Sequence, residues 1–129
     1  DDVVCCIYPT TPLLDSSFLK AGLKKLKKDS YCFSACLFHS NPLRGFYIRD
    51  KKLHLLNKNF INFRTQDMEN VYFDAGQFYF GYAKTFADKK PIFSEDSTLI
   101  VLPEINVVDI NTQNDWEIAE MKYKILCRR

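Results

Sequence analysis

Val3-Val4-Cys5-Cys6-Ile7-Tyr8-Pro9-Thr10-Thr11-Pro12 is the stretch on which the fold turns. From Val3 to Tyr8 it is apolar and β-prone without a break. Such runs read as strands covered on both faces, the habit of parallel sheets flanked by helices. Pro9 and Pro12 lack backbone donors and end the strand in a loop. Beyond the loop, Asp15 or Ser16 is placed to cap a helix reaching about Lys28, with Leu19, Leu23 and Leu26 spaced along one face. Lys20, Lys24, Lys25, Lys27 and Lys28 fill the remainder, a solvated face near a helix C-terminus, where cations are favoured.

Outward from this start the same kinds of signal repeat. Tyr31 to Phe38 reads as a second buried strand. Phe46-Tyr47-Ile48-Arg49 and Leu53-His54-Leu55-Leu56 form a hairpin around a polar tip, Asp50-Lys51-Lys52. Asn57 to Met68 is polar and irregular. A strand is expected from about Gln77 to Tyr82, a short helix over Thr85 to Asp88, a strand over Leu99 to Leu102, and a brief strand at Val107-Val108. Thr112 opens the last helix, with Asp115 at capping-box spacing and Trp116, Ala119, Tyr123 and Leu126 on its apolar face. Strand, helix, strand, inserted hairpin, strand and helix spell an α/β layer fold with a mixed sheet. Ligands in such sheets bind beyond the carboxyl ends of strands. Pro9–Pro12 and Asp109–Thr112 are therefore the first places to look for chemistry.

Composition narrows the class. The chain has 129 residues, 47% hydrophobic and 26% charged, enough for one domain and unlike a disordered tail. Eighteen Lys+Arg against 16 Asp+Glu leave a net charge of +2, too mild to name nucleic acid as the main partner. No apolar run approaches the roughly 20 residues of a membrane span. Five cysteines, an odd number, without a Cys-x-x-Cys or zinc-like spacing, read as buried reduced thiols. The expected compartment is the cytoplasm. The chain opens on Asp1, directly into the strand, and holds only four glycines. The expectation is a piece of a longer protein.

Three groups of residues carry candidate chemistry. Asp109 and Asn111, alternate residues before a capped helix, can present a carboxylate and an amide oxygen to one Mg²⁺, or serve as ordinary turn and capping residues. Arg44, Arg64, Gln66, Asp67, Asp74 and Gln77 concentrate polar groups around a loop and an aromatic strand. Arginine forks there can grip a carboxylate or phosphate, or pin the loop through Arg64–Asp67 or Arg64–Asp74 pairs. Tyr72, Phe73, Phe78, Tyr79, Phe80 and Tyr82 read either as sheet core or as a stacking platform. No phosphate-binding loop, dinucleotide fingerprint, nucleophile elbow or zinc-helix motif is present.

These residues, taken together, resemble one family. Ile7-Tyr8-Pro9-Thr10-Thr11-Pro12-Leu13 looks like the strand and loop of acylneuraminate (CMP-sialic acid) cytidylyltransferases. Arg64-Thr65-Gln66-Asp67 resembles their Arg-x-Gln-Asp sugar segment. Asp74-Ala75-Gly76-Gln77-Phe78-Tyr79 resembles the Asp-Ala-Gly-Gln-Phe-Tyr-Trp stretch of the pseudaminic acid branch, with Phe80 in the Trp position. Val107-Val108-Asp109-Ile110-Asn111-Thr112, with Asp115-Trp116 after it, looks like the Asp-Ile-Asp-Thr metal segment and last helix. All four follow in the family's order, from residue 3 to about 126.

The resemblance implies a Rossmann-like nucleotide-diphosphosugar transferase sandwich with a dimerisation insertion at about 44–66. It implies transfer of CMP from CTP to a nine-carbon α-keto acid sugar, with pyrophosphate released, by a cytoplasmic homodimer. By position, Asp109 and Asn111 face Mg²⁺, Arg64 meets the sugar carboxylate across a dimer interface, and Gln77 and Tyr79 shape the sugar pocket. Thr10 and Thr11 border that pocket, while Arg44, Gln66 and Asp74 join its polar lining. Three departures follow. The family's Ala-Arg-Gly-Gly-Ser-Lys nucleotide segment is absent, so the chain alone is expected to be inactive, as the C-terminal portion of an enzyme about twice as long. Asn111 replaces the second aspartate of the metal segment, which weakens Mg²⁺ binding and leaves room for a non-catalytic sugar-binding or dimerisation remnant. Tyr8 and Leu14 stand where sialic acid enzymes carry glutamine and arginine, leaning toward pseudaminic or legionaminic acid.

Overall fold

The computed structural model describes residues 2–128; Asp1 and Arg129 lie outside the described residues. The elements are β1 (Val3–Ile7), α1 (Ser16–Lys25), β2 (Tyr31–Leu37), β3 (Phe46–Arg49), β4 (Lys52–Leu55), β5 (Tyr72–Tyr82), α2 (Ala83–Ala87), β6 (Thr98–Leu102) and α3 (Gln113–Leu126). Two compact units divide the chain: one runs to Cys36 and resumes at Asp74, the other is Leu37–Phe73.

The first unit is a mixed α/β layer, as expected. Its sheet has the order β1-β5-β2-β6, with β1 antiparallel to β5 and β2 parallel to β6. β2 is buried from Tyr31 to Cys36, which its unbroken apolar run requires. Phe33, Ala35 and Tyr79 form a core cluster, joined by Ile92 and Leu99. Tyr31 ties in α2: its hydroxyl donates to the Thr85 carbonyl at 3.0 Å, and its ring meets Phe86 edge-on.

β1 departs from the expectation of a strand covered on both faces. It lies at the edge of the sheet with an antiparallel neighbour, and Val3, Val4 and Ile7 are exposed, Ile7 at 47%. An apolar run specifies a strand but not its rank in a sheet, which depends on distant pairing. α1 also ends earlier than expected, at Lys25. Asp15 caps it, accepting from Ser17 N at 2.8 Å. Its buried point is Gly22, close against the Phe78 and Phe80 rings, while Leu23 faces solvent. Val107-Val108 is not a strand; a 3-10 turn, Glu104–Asn106, precedes it. Lys122 of α3 holds this segment by donating to the Glu104 and Val107 carbonyls at 2.8 and 2.7 Å.

α3 begins as its sequence predicts. Thr112 Oγ1 accepts from Asp115 N, and Asp115 Oδ2 accepts from Thr112 N, a complete capping box. Its apolar face is less covered than expected: Ala119 is buried, whereas Trp116 and Tyr123 are exposed. The thiols differ too. All five cysteines are free, but only Cys32 and Cys36 are buried; Cys6 and Cys127 are exposed.

The second unit contains the expected hairpin. β3 and β4 pair antiparallel, Phe46 opposite Leu55 and Ile48 opposite Leu53. The tip is two residues, Asp50 and Lys51, both at positive φ, rather than the three expected. That is the primed turn whose twist suits a tight hairpin. The stretch from Asn57 to Met68 forms two 3-10 turns, Lys58–Phe60 and Thr65–Asp67.

Candidate functional site

In the first unit, the candidate site grows from the end of β1. Thr11 Oγ1 donates to the Tyr8 carbonyl at 2.9 Å, folding the Pro9–Pro12 loop back over the strand. Thr10 is exposed and Thr11 half-buried. The Tyr8 ring lies 5.6 Å from that of Tyr79, which also stacks on Phe33. Tyr79 OH donates to Asp74 Oδ2 at 2.5 Å, and Gly76 N donates to Asp74 Oδ1 at 2.9 Å. Thr11, Tyr8, Tyr79 and Asp74 thus form one continuous run of contacts at the carboxyl end of β1.

The electrostatics of this run are specific. Burial, then the Asp74 hydrogen bond, hold the Tyr79 phenol well above its ordinary range. It stays protonated and donates a hydrogen bond to Asp74. The aromatic strand divides accordingly: Phe78, Tyr79 and Phe80 are core, while Tyr72 is exposed.

Gln77 occupies a different place from an open sugar contact. It is 2% exposed, its Nε2 donates to the Asn106 carbonyl, and its Oε1 has no partner among the described residues. Sequence reasoning did not single out Asn106. Its buried side chain donates to the Leu13 carbonyl at 3.1 Å, across 93 residues of sequence. No local pattern announces such a contact.

In the second unit, Asn41 caps the 3-10 turn Pro42–Arg44 and donates to the Glu69 carbonyl. This brings Arg44 to the Arg64–Asp67 segment, where its Nη1 reaches Thr65 Oγ1 at 3.3 Å. Arg64 and Gln66 are exposed beside it. Arg64 and Asp67 form no ion pair among the described residues, so their charges face water.

Asp109 and Asn111 lie on the turn before α3, both exposed. Asp115 Oδ2 accepts from Asn111 N, Thr112 N and Thr112 Oγ1, at 3.1, 2.8 and 2.7 Å, and so serves the cap. These bonds, led by that from Thr112, hold the Asp115 carboxyl below its ordinary range. Among the described residues no three acidic, His or Cys side chains gather for a metal. The segment offers one uncommitted carboxylate and one amide oxygen. That donor set does not suit a resident ion; it suits Mg²⁺ whose other ligands are substrate phosphates and water. Beside it, a groove of about 450 Å³ is lined by Pro12, Ile110, Trp116, Ala119 and Tyr123 among others.

No protein-family model matches the chain. Curated proteins do. Two proteins named pseudaminic acid cytidylyltransferase, from Campylobacter jejuni serotypes O:23/36 and O:2, are each 35% identical over 127 residues, covering 96% of this chain and 55% of theirs. A Helicobacter pylori protein is named pseudaminic acid cytidylyltransferase and UDP-2,4-diacetamido-2,4,6-trideoxy-beta-L-altropyranose hydrolase. It is 32% identical over 139 residues, covering 98% of this chain and 27% of its own length. The chain therefore spans about half the length of the Campylobacter relatives. The names match the family that the four motifs resemble.

Proposed function

We propose that the chain is the acceptor-sugar side of a cytidylyltransferase that moves CMP from CTP to a nine-carbon α-keto acid sugar of the pseudaminic type. The observation that carries this reading is the 35% identity over 96% of the chain to enzymes of that name. In the reaction, the anomeric hydroxyl of the sugar attacks the α-phosphorus of CTP. A phosphorus–oxygen bond forms, the bond to the β-phosphate bridge breaks, pyrophosphate leaves, and the hydroxyl proton passes to solvent or base. Positioning and electrostatics dominate such chemistry, which suits a site without a covalent nucleophile.

Each polar group has a role in this proposal. Thr10, Thr11 and Asp74 read the sugar's hydroxyl and amide groups, and the buried Tyr79 shapes the pocket by donating its hydrogen bond to Asp74. Arg64, with Arg44 and Gln66 beside it, grips the sugar carboxylate across a dimer interface. Asp109 and Asn111 face Mg²⁺ that arrives with the triphosphate, and that ion offsets phosphate charge when bound. The dimer rests on β3–β4: Phe46, Ile48, Leu53 and Leu55 share one hairpin face, where Ile48 is 74% exposed. The other half of the enzyme, with the nucleotide cradle, pairs with the exposed edge of β1. Apolar edges of that kind call for a partner. The free thiols suit a reducing compartment, the cytoplasm.

The test is product formation by the whole protein offered CTP, Mg²⁺ and pseudaminic, legionaminic or sialic acid in turn. CMP-pseudaminic acid is the expected principal product. A second reading, a non-catalytic sugar-binding or dimerisation remnant, is favoured by the single uncommitted carboxylate of the metal segment. A whole protein that binds the sugar but yields no CMP-sugar at saturating Mg²⁺ selects it.

A further inference from the structure

We infer that Gln77 and Asn106 act together as a clamp that sets the Pro9–Leu13 loop, and that both are positioning residues for the sugar rather than groups that touch it. Both ends of the loop are fastened to Gln77. At its start, Tyr8 N donates to the Gln77 carbonyl at 3.0 Å. At its end, Asn106 Nδ2 donates to the Leu13 carbonyl, while Gln77 Nε2 donates to the Asn106 carbonyl at 2.5 Å. Gln77 is itself held, because Ser34 Oγ on β2 accepts from Gln77 N and Phe78 N at 3.0 and 3.2 Å.

Burial makes this arrangement stiff. Ser34, Gln77 and Asn106 are all buried, so their hydrogen bonds have no competition from water. The loop closes on itself between these anchors, through Thr11 Oγ1 to the Tyr8 carbonyl and Leu14 N to the Thr11 carbonyl. The anchored atoms at either end are backbone, so the clamp fixes loop shape whatever side chains the loop carries. A contact role for Gln77 or Asn106 conflicts with their burial; a role in presenting Thr10 and Thr11 does not.

The role in sugar binding rests on the proposed function; the clamp itself does not, and the experiment separates them. In the whole protein, Asn106→Asp keeps the shape of the residue and the acceptor for Gln77 but removes the donor to Leu13. Amide exchange at Leu14 is expected to quicken about tenfold or more, with the Ile100 amide of β6 unchanged. The KM for the sugar is expected to rise by about the same factor, with kcat and the KM for CTP unchanged. Gln77→Met gives a similar loss, and the double variant loses no more than the worse single one, because a clamp opened once is open. Unchanged Leu14 exchange in folded Asn106→Asp, or additive losses, would overturn the clamp. Quickened exchange with an unchanged sugar KM overturns the positioning role. Should the wild-type protein bind no such sugar, the proposed function fails and exchange alone judges the clamp.

Discussion

Tyr79 donates to Asp74 at 2.5 Å although the two residues stand five apart on one strand. Regular strand geometry puts about 16 Å between such residues and points them to opposite faces. Gly76, at φ +62°, breaks that geometry, and its N–H turns back onto Asp74 Oδ1. The bond is therefore a product of one left-handed residue.

Gly76→Ala is expected to destabilise the protein by about 1–2 kcal/mol, although open space surrounds the position. The cost is conformational: a Cβ disfavours positive φ. Gly76→Asn, which tolerates that region, is expected to cost less. Thermal unfolding of the two variants measures the difference.

Tyr79 also predicts an alkaline limit. Its phenol is held above its ordinary value of 10.0 in the folded protein. Above about pH 10 the unfolded chain loses that proton and the folded one keeps it, so the unfolded state binds fewer protons and stability falls. The contribution is whole below pH 10 and declines by about 1.4 kcal/mol for each pH unit above it, until the folded phenol ionises. Tyr79→Phe is expected to flatten this decline in part. Burial raises Tyr31 too, and that share remains. Urea unfolding between pH 8 and 11 follows it.

Gly22→Ala sets two effects against each other. Alanine favours a helix interior by about 1 kcal/mol over glycine. A Cβ at Gly22, however, would sit 3.0 Å from the buried Phe78 and Phe80 rings. Overpacking of this kind costs about 1–3 kcal/mol, so the net effect is expected to be destabilising. A raised melting temperature would mean that α1 lifts from the sheet at no cost.

The hairpin face predicts the oligomeric state. Ile48→Glu puts a charge on the exposed apolar hairpin face shared by Phe46 and Leu53. It is expected to convert a dimer to a monomer in sedimentation analysis, with the melting of the first unit unchanged. A variant that remains dimeric would move the interface elsewhere.

Local features were legible from residues alone. Thr112 and Asp115 lie three apart and make the predicted capping box, because a cap needs nothing beyond its own turn. The hairpin was legible for the same reason, though not the register of its tip, which depends on Asp50 and Lys51 both adopting positive φ. Sheet order was not legible. β1 and β2 carry similar apolar runs, yet one is an exposed edge and the other is buried. In the candidate site, Thr11, Asp74 and Tyr79 could be named because they sit in motifs. Asn106 could not, since its partner is Leu13, and nothing in the residues around either one points to the other.

Under the proposed function these 129 residues are the acceptor side of a CMP-transferase whose nucleotide cradle lies outside them. The most direct measurement is CMP-sugar and pyrophosphate formation from CTP, Mg²⁺ and pseudaminic acid, run side by side on this chain alone and on the chain joined to the part of a Campylobacter relative that it does not match. No turnover by the chain alone, and equal amounts of the two products from the joined protein, is the predicted result. Turnover by the 129 residues alone would contradict the claim, as would a joined protein that folds, binds both substrates and forms neither product.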